Sequence, residues 1–151
     1  VFTIKKGTYS YALTTSSSTK FKRKTLDKSN LSEFSVGDMV NARGTWTDES
    51  KSELTTTVLK NLTVKRSPRY NGTVILHAND HFEIQYTLSN GKKARRIIIL
   101  SPAMKFFSKE NNNIGYTDIG VGNIVEIAKG AAYNTVSKKI FNATSVKNRS
   151  L

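Results

Sequence analysis

An all-β chain made of two copies of one strand unit is the fold class that the sequence predicts, and three observations carry it. Thr, Ser and Asn are abundant while Leu and Ala are modest, a balance that suits strands and turns. Apolar residues recur with period two, as where Phe82, Ile84, Tyr86 and Leu88 alternate with Glu83, Gln85, Thr87 and Ser89. The ten residues LSEFSVGDMV at 31–40 return as YTDIGVGNIV at 116–125.

The match extends beyond those ten residues. Lys20 and Phe21 correspond to Lys105 and Phe106, and Leu31, Phe34, Val36, Gly37 and Val40 to Tyr116, Ile119, Val121, Gly122 and Val125, all without a gap. Gly44 matches Gly130 after one inserted residue, and VLKN at 58–61 resembles SVKN at 145–148. An ordered series of this kind predicts a tandem duplication, with copies at 1–66 and 67–151. A single sandwich whose halves share one core is the alternative, because copies this short are near the lower limit for independent stability.

Residues 2–5 and 8–14 read as strands joined at Gly7. They match the second and third strands of the other copy. The counterpart of residues 72–76 would therefore precede residue 1, so the first copy lacks its first strand or another segment supplies it. Gly37 with Asp38, and Gly122 with Asn123, read as turns that launch a strand. Val40, Ala42, Gly44 and Trp46 then share a core face while Met39, Asn41, Arg43 and Thr45 face out; Val125 and Ile127 oppose Ile124 and Glu126 in the same way. Residues 65–72, with Pro68 and no periodicity, read as a linker. Residues 73–77, 82–88 and 95–100 read as a meander with a two-residue hairpin at Asn90-Gly91.

Charge is the strongest compositional signal, at a net +13. Residues 1–66 hold 12 basic and 6 acidic side chains and residues 67–151 hold 12 and 5, so the excess is spread over both copies. Such a surface attracts polyanions. The longest apolar run, 97–100, is far short of a membrane-spanning helix. Absence of Cys excludes disulfides and thiolate metal sites. A start at Val1, with neither Met nor a signal-peptide pattern, reads as a processed or trimmed end.

Two basic clusters are the candidate polyanion-binding residues: Lys20, Lys22, Arg23 and Lys24, and Lys92, Lys93, Arg95 and Arg96 beside the Asn90-Gly91 turn. Charged strand edges that discourage aggregation are the competing explanation. Stacking of nucleic-acid bases would need outward aromatics. Parity instead groups Tyr9 and Tyr11 with Leu13, Tyr86 with Ile84, and Trp46 with Val40, as core. His77 and His81 flank AND and read as an exposed turn, since no third His and no Cys completes a metal site. The 11 acidic residues are scattered without a repeated partner, and IGVGNIV opens a strand where phosphate cradling needs a helix, so no catalytic residue and no cofactor is expected. Five N-x-[ST] sequons, at Asn30, Asn61, Asn71, Asn142 and Asn148, are expected by chance in this composition.

Thr19-Lys20-Phe21, the run from Val36 through Gly37, Asp38, Met39, Val40, Asn41, Ala42 and Arg43 to Gly44, and Val121-Gly122-Asn123-Ile124-Val125 together resemble a bacterial domain family of unknown function. Its members are mainly exported or cell-surface proteins, often tandem small β-barrels similar to the oligonucleotide/oligosaccharide-binding (OB) barrel. The resemblance implies two tandem antiparallel OB-like barrels and an extracytoplasmic, secreted or cell-surface location, and it implies no ligand. The second copy departs from the pattern with Asn123 in place of Asp38 and an extra residue before Gly130. A chemical role for Asp38 loses support accordingly.

The expectation is a non-catalytic extracytoplasmic structural or binding module whose basic surface contacts anionic cell-envelope polymers or a partner protein, with no transmembrane segment. A single-stranded nucleic-acid binder is the alternative. A surface-filament subunit, self-assembled through a neighbour's strand in place of the absent first one, is a third.

Overall fold

Strands β1 (Phe2–Lys6) and β2 (Tyr9–Thr14) form a hairpin about Gly7, whose φ of 63° is the left-handed conformation the turn requires. The structure is a computed structural model and describes residues 1–25 and 27–151. Two units, Val1–Val64 and Lys65–Leu151, divide the chain. Among the described residues the regular structure is β throughout, apart from single 3-10 turns at Leu31–Glu33 and Tyr116–Asp118.

The first unit adds β3 (Lys20–Arg23), β4 (Val40–Trp46) and β5 (Glu53–Asn61). β5 runs parallel to β2 at one end and to β3 at the other, and antiparallel to β4 along its length. The β4–β5 register slips at Arg43/Gly44, where Thr57 is the extra residue and its hydroxyl donates to the Arg43 carbonyl at 3.1 Å. That bulge switches the inward set of β5 from Leu54 and Thr56 to Leu59 and Asn61. Gly44 is obligatory there: a Cβ would lie 1.9 Å from the Thr55 carbonyl oxygen.

β6 (Val64–Arg66) leads into the strands of the second unit: β7 (Tyr70–His77), β8 (His81–Thr87), β9 (Lys93–Ile99), β10 (Lys105–Phe107), β11 (Asn113–Ile114), β12 (Ile124–Ile127), β13 (Ala132–Asn134), β14 (Lys139–Phe141) and β15 (Ser145–Asn148). β7, β8 and β9 form the expected antiparallel meander. β9 pairs parallel with β14, β10 parallel with β15, and β12 antiparallel with both β15 and β7. Phe82, Ile84, Ile98, Val125, Ile127, Ile140 and Val146 are fully buried in this unit's core.

The repeat is visible in the backbone. β3 beside β5 reproduces β10 beside β15, with Phe21↔Leu59 matching Phe106↔Val146. Val40↔Asn61 matches Val125↔Asn148, and the isolated Lys22↔Lys28 bridge matches Phe107↔Asn113. Gly37 and Gly122 have φ of 93° and 91°, the left-handed turn that the repeated VG step demands.

Four expectations need correction. The stretch read as a linker contains the end of β6 and the start of β7, because Tyr70 and Gly72 are buried in the pairing with β12. The two-residue hairpin at Asn90-Gly91 is a five-residue loop between Thr87 and Lys93, closed by the Leu88 N–H on the Lys92 carbonyl. The first unit is a half-barrel and not a closed barrel: among the described residues β1 pairs with β2 alone and β4 with β5 alone. Tyr9 and Trp46, grouped with the core by parity, are 70% and 41% exposed because nothing among the described residues covers that face of the open sheet.

Candidate functional site

The inward packing of Phe21, Leu59 and Ala42 turns their neighbours on β3, β5 and β4 outward. Lys22 is the register partner of Lys60, and Lys60 of Asn41, while Lys28 bridges to Lys22 from the other side. A second row places Lys20 beside Val58 and Val58 beside Arg43. Adjacent strands stand about 4.8 Å apart, and like charges facing each other across a sheet destabilise it. Among the described residues no acid forms an ion pair with Lys20, Lys22, Lys28, Lys60 or Arg43. These two rows of the first unit's outer face therefore gather five basic side chains with no acid in ion-pair contact among the described residues.

The equivalent row of the second unit is neutralised. Asn113, Phe107, Lys147 and Glu126 take the places of Lys28, Lys22, Lys60 and Asn41. Glu126 receives Arg149 and, at 3.1 Å, Arg69, and the Arg149 hydrogen bond holds its carboxyl below the usual range, with Arg69 and Lys147 adding to the effect. Lys147 donates to the Asn111 side chain at 2.6 Å.

The remaining sequence candidates divide sharply. Lys24 is exposed in the turn after β3. Arg23 clasps Glu33 through two 2.8 Å hydrogen bonds; Glu33 is 1% exposed and also accepts from the Ser29 hydroxyl at 2.7 Å. Lys92 and Lys93 are exposed at the β8–β9 loop, and Arg95 pairs with Glu83. Arg96 turns inward instead, its guanidinium 4.6, 5.0 and 5.3 Å from the ring centres of Tyr133, Tyr86 and Tyr70. Burial raises the Tyr133 and Tyr86 hydroxyl pKa values, and the Arg96 charge opposes that rise. Arg23 and Arg96 thus hold the fold together, while the lysines of both clusters face solvent.

Sequence reasoning missed Lys28, Arg43 and Lys60. Alternation signals their outward direction, but the parallel β3–β5 pairing that gathers them joins segments nearly 40 positions apart. The two histidines have separate partners: His77 stacks on Tyr116 with ring centres 4.2 Å apart, and His81 meets the Asp80 carboxylate at 2.7 Å, which lowers the Asp80 pKa. No group of three potential metal ligands occurs among the described residues. Of the sequons, Asn61 and Asn148 are fully buried. No family model matches the chain, and neither a curated protein nor a solved structure is detectably similar to it.

Proposed function

We propose that the chain is a non-catalytic, extracytoplasmic binding module of two related OB-like units, the first an open half-barrel, whose cationic face on the first unit holds an anionic polymer of the cell envelope. The observation that carries this reading is the uncompensated row Lys28–Lys22–Lys60 with Lys20 and Arg43 beside it, set against the neutralised row at the same place in the second unit. Like charges gathered at a cost to folding are accounted for by an anionic ligand. The barrel reading is supported by the pairing in the second unit: the β7–β8–β9 meander, β9 parallel to β14, β15 antiparallel to β12, and β12 beside β7, which follows the order of an OB barrel when β14 and β15 together are taken as its final strand.

Single-strand nucleic-acid binding is the second reading, and one feature weighs against it. The exposed aromatics Tyr9 and Trp46 belong to the inward face, as the pairings Tyr11↔Ile4 and Trp46↔Leu54 require, so phosphates and bases would have to meet opposite sides of one sheet.

Fluorescence anisotropy with a labelled single-stranded oligonucleotide, titrated with salt and with an anionic polysaccharide as competitor, tests the proposal. Binding should collapse at physiological salt and transfer to the polysaccharide. Reversing Lys22 and Lys60 to Glu should lower the oligonucleotide's salt slope by at least about 1.4, at about 0.7 per lost phosphate contact. The same reversal at Lys92 and Lys93 should change it less. Oligonucleotide binding that persists at physiological salt and resists the polysaccharide would replace the polymer reading with the nucleic-acid one.

A further inference from the structure

The open side of the first unit has a definite shape. β4 presents the edge whose counterpart, β12, is paired with β7 through Ile124↔Thr73, Val125↔Gly72, Glu126↔Asn71 and Ile127↔Tyr70. β1 presents the edge whose counterpart, β8, is paired with β7 through Val74↔Ile84 and Thr73↔Gln85. Between these two edges, unpaired among the described residues, is a cavity of about 1070 Å³, lined by Phe2, Ile4, Tyr11, Val40 and Trp46 over a floor of Leu13. Among the described residues the first unit's apolar cluster has three buried members, Leu13, Leu54 and Leu59, against fourteen in that of the second. At about 2 kcal/mol per buried aliphatic side chain, that is a thin core for a unit of this length.

We propose that this slot is a strand acceptor that takes one extended segment supplied from outside these 151 residues, antiparallel to both β1 and β4. The occupant's chemistry is given by β7, which fills the same position in the second unit. Tyr70, Gly72 and Val74 of β7 are buried and Asn71 and Thr73 are exposed, so the donor reads apolar, polar, Gly, polar, apolar. Glycine is required at the centre, since a Cβ on Gly72 would stand 2.8 Å from the Gln85 carbonyl oxygen of the neighbouring strand. A small apolar ligand would fill the cavity but leave both strand edges unpaired, whereas an added strand satisfies edge and cavity together. A second copy offers no free segment of this pattern, because its own Tyr70–His77 is already committed between β8 and β12. This inference stands apart from the polyanion reading, which concerns the opposite face of the sheet.

The probe is a synthetic peptide of residues 69–79, RYNGTVILHAN, added to the intact chain. Trp46, the single Trp, lines the slot and reports its filling. The expected result is saturable one-to-one binding with a blue shift of Trp46 emission and slower amide exchange in both β1 and residues 39–42. A peptide carrying Gly72→Val should bind at least tenfold more weakly. Joining residues 69–77 to Val1 through Ala-Asn-Asp, the turn that links β7 to β8, should give the same protection without added peptide. Absence of protection in the joined chain would overturn the proposal. So would protection that grows with protein concentration in the unmodified chain, which would make a second copy the occupant, or a Trp46 shift produced by a fatty acid and not by the peptide.

Discussion

Asn61 and Asn148 occupy one place in the two units and hold it with the same bonds. Each is fully buried. Asn61 Nδ2 donates to Asp38 Oδ2 at 2.6 Å and Asn148 Nδ2 to Asn123 Oδ1 at 2.8 Å, and each also donates to the carbonyl that ends the preceding 3-10 turn, Glu33 or Asp118. In return Asn61 Oδ1 accepts the Thr63 N–H and Asn148 Oδ1 the Ser150 N–H, both at 2.9 Å. Asp38 and Asn123 close their own turns by accepting the N–H of Ser35 and of Gly120. One side chain thus ties the final strand to the turn that launches the strand beside it.

Replacing either Asn by Ala strands buried donors and acceptors, at about 1–3 kcal/mol for each group left unpaired. Asn148→Ala should lower the melting temperature by several degrees, and Asn61→Ala should do the same to the first unit. Thermal unfolding followed by circular dichroism reads both. Unchanged melting would mean that water replaces the lost bonds.

The two partners of those asparagines differ by a single atom, and the difference should be exchangeable. Asn123→Asp recreates in the second unit the pair that Asp38 and Asn61 make in the first, so it should melt close to the parent chain. Asn61→Asp, in contrast, removes the donor and sets two carboxylates against each other. It should be destabilising at neutral pH and partly recovered at acid pH, as protonation restores a donor. Melting curves at pH 7 and pH 4 compare the two variants directly.

Turns, faces and the repeat were legible because they are local. Gly37 and Gly122 announce left-handed positions, and Phe82 and Ile84 announce an inward face by period two. Partnership across the sheet was not legible: nothing near Lys22 reveals that Lys60 runs parallel beside it. Alternation gave Trp46 its face but could not say that the face is uncovered. Gly44 and Gly130 looked equivalent and are not. Gly44 makes room for the Thr55 carbonyl, whereas Gly130 has a φ of 94° with Arg66 against it, and there the second unit breaks into β12 and β13 what the first keeps as β4.

Among the described residues Glu33 and Arg23 form the ion pair most shielded from water, with side chains 1% and 11% exposed. Removing one partner leaves a buried charge, which costs about 3–5 kcal/mol, far more than a surface pair is worth. Glu33→Ala should therefore destabilise the first unit strongly, and Arg23→Met combined with Glu33→Leu should recover much of the loss. A double-mutant cycle in urea measures the coupling. Additive single effects would mean that the pair contributes nothing beyond packing.

Arg96 is seated among Tyr70, Tyr86 and Tyr133, and that placement makes it a structural residue despite its cluster of basic neighbours. Arg96→Gln should cost about 1–2 kcal/mol through lost contact with the rings and leave polyanion affinity nearly unchanged once folded protein is counted. Lys22→Gln should give the reverse, with ordinary stability. An affinity loss for Arg96→Gln larger than that for Lys22→Gln would mean that the guanidinium leaves its tyrosines to meet the ligand.

Glu126 gives the second unit an acid dependence whose sign is set by its neighbours. Arg149 above all, then Arg69 and Lys147, favour the charged form, so the folded carboxyl titrates below its ordinary value near 4.5. A folded pKa below the unfolded one means stabilisation that is complete above about pH 4.5 and is lost as the pH falls through the folded value. Glu126→Gln lacks this contribution at every pH. Its melting temperature should be lower than the parent's at pH 7, and the gap should close as the pH is taken below 4. Added salt should shrink the gap at pH 7, since Arg149 and Arg69 are themselves 41% and 57% exposed. A gap that stays constant from pH 7 to pH 3 would show that Glu126 acts through packing, and would remove the electrostatic contrast between the two units' outer faces.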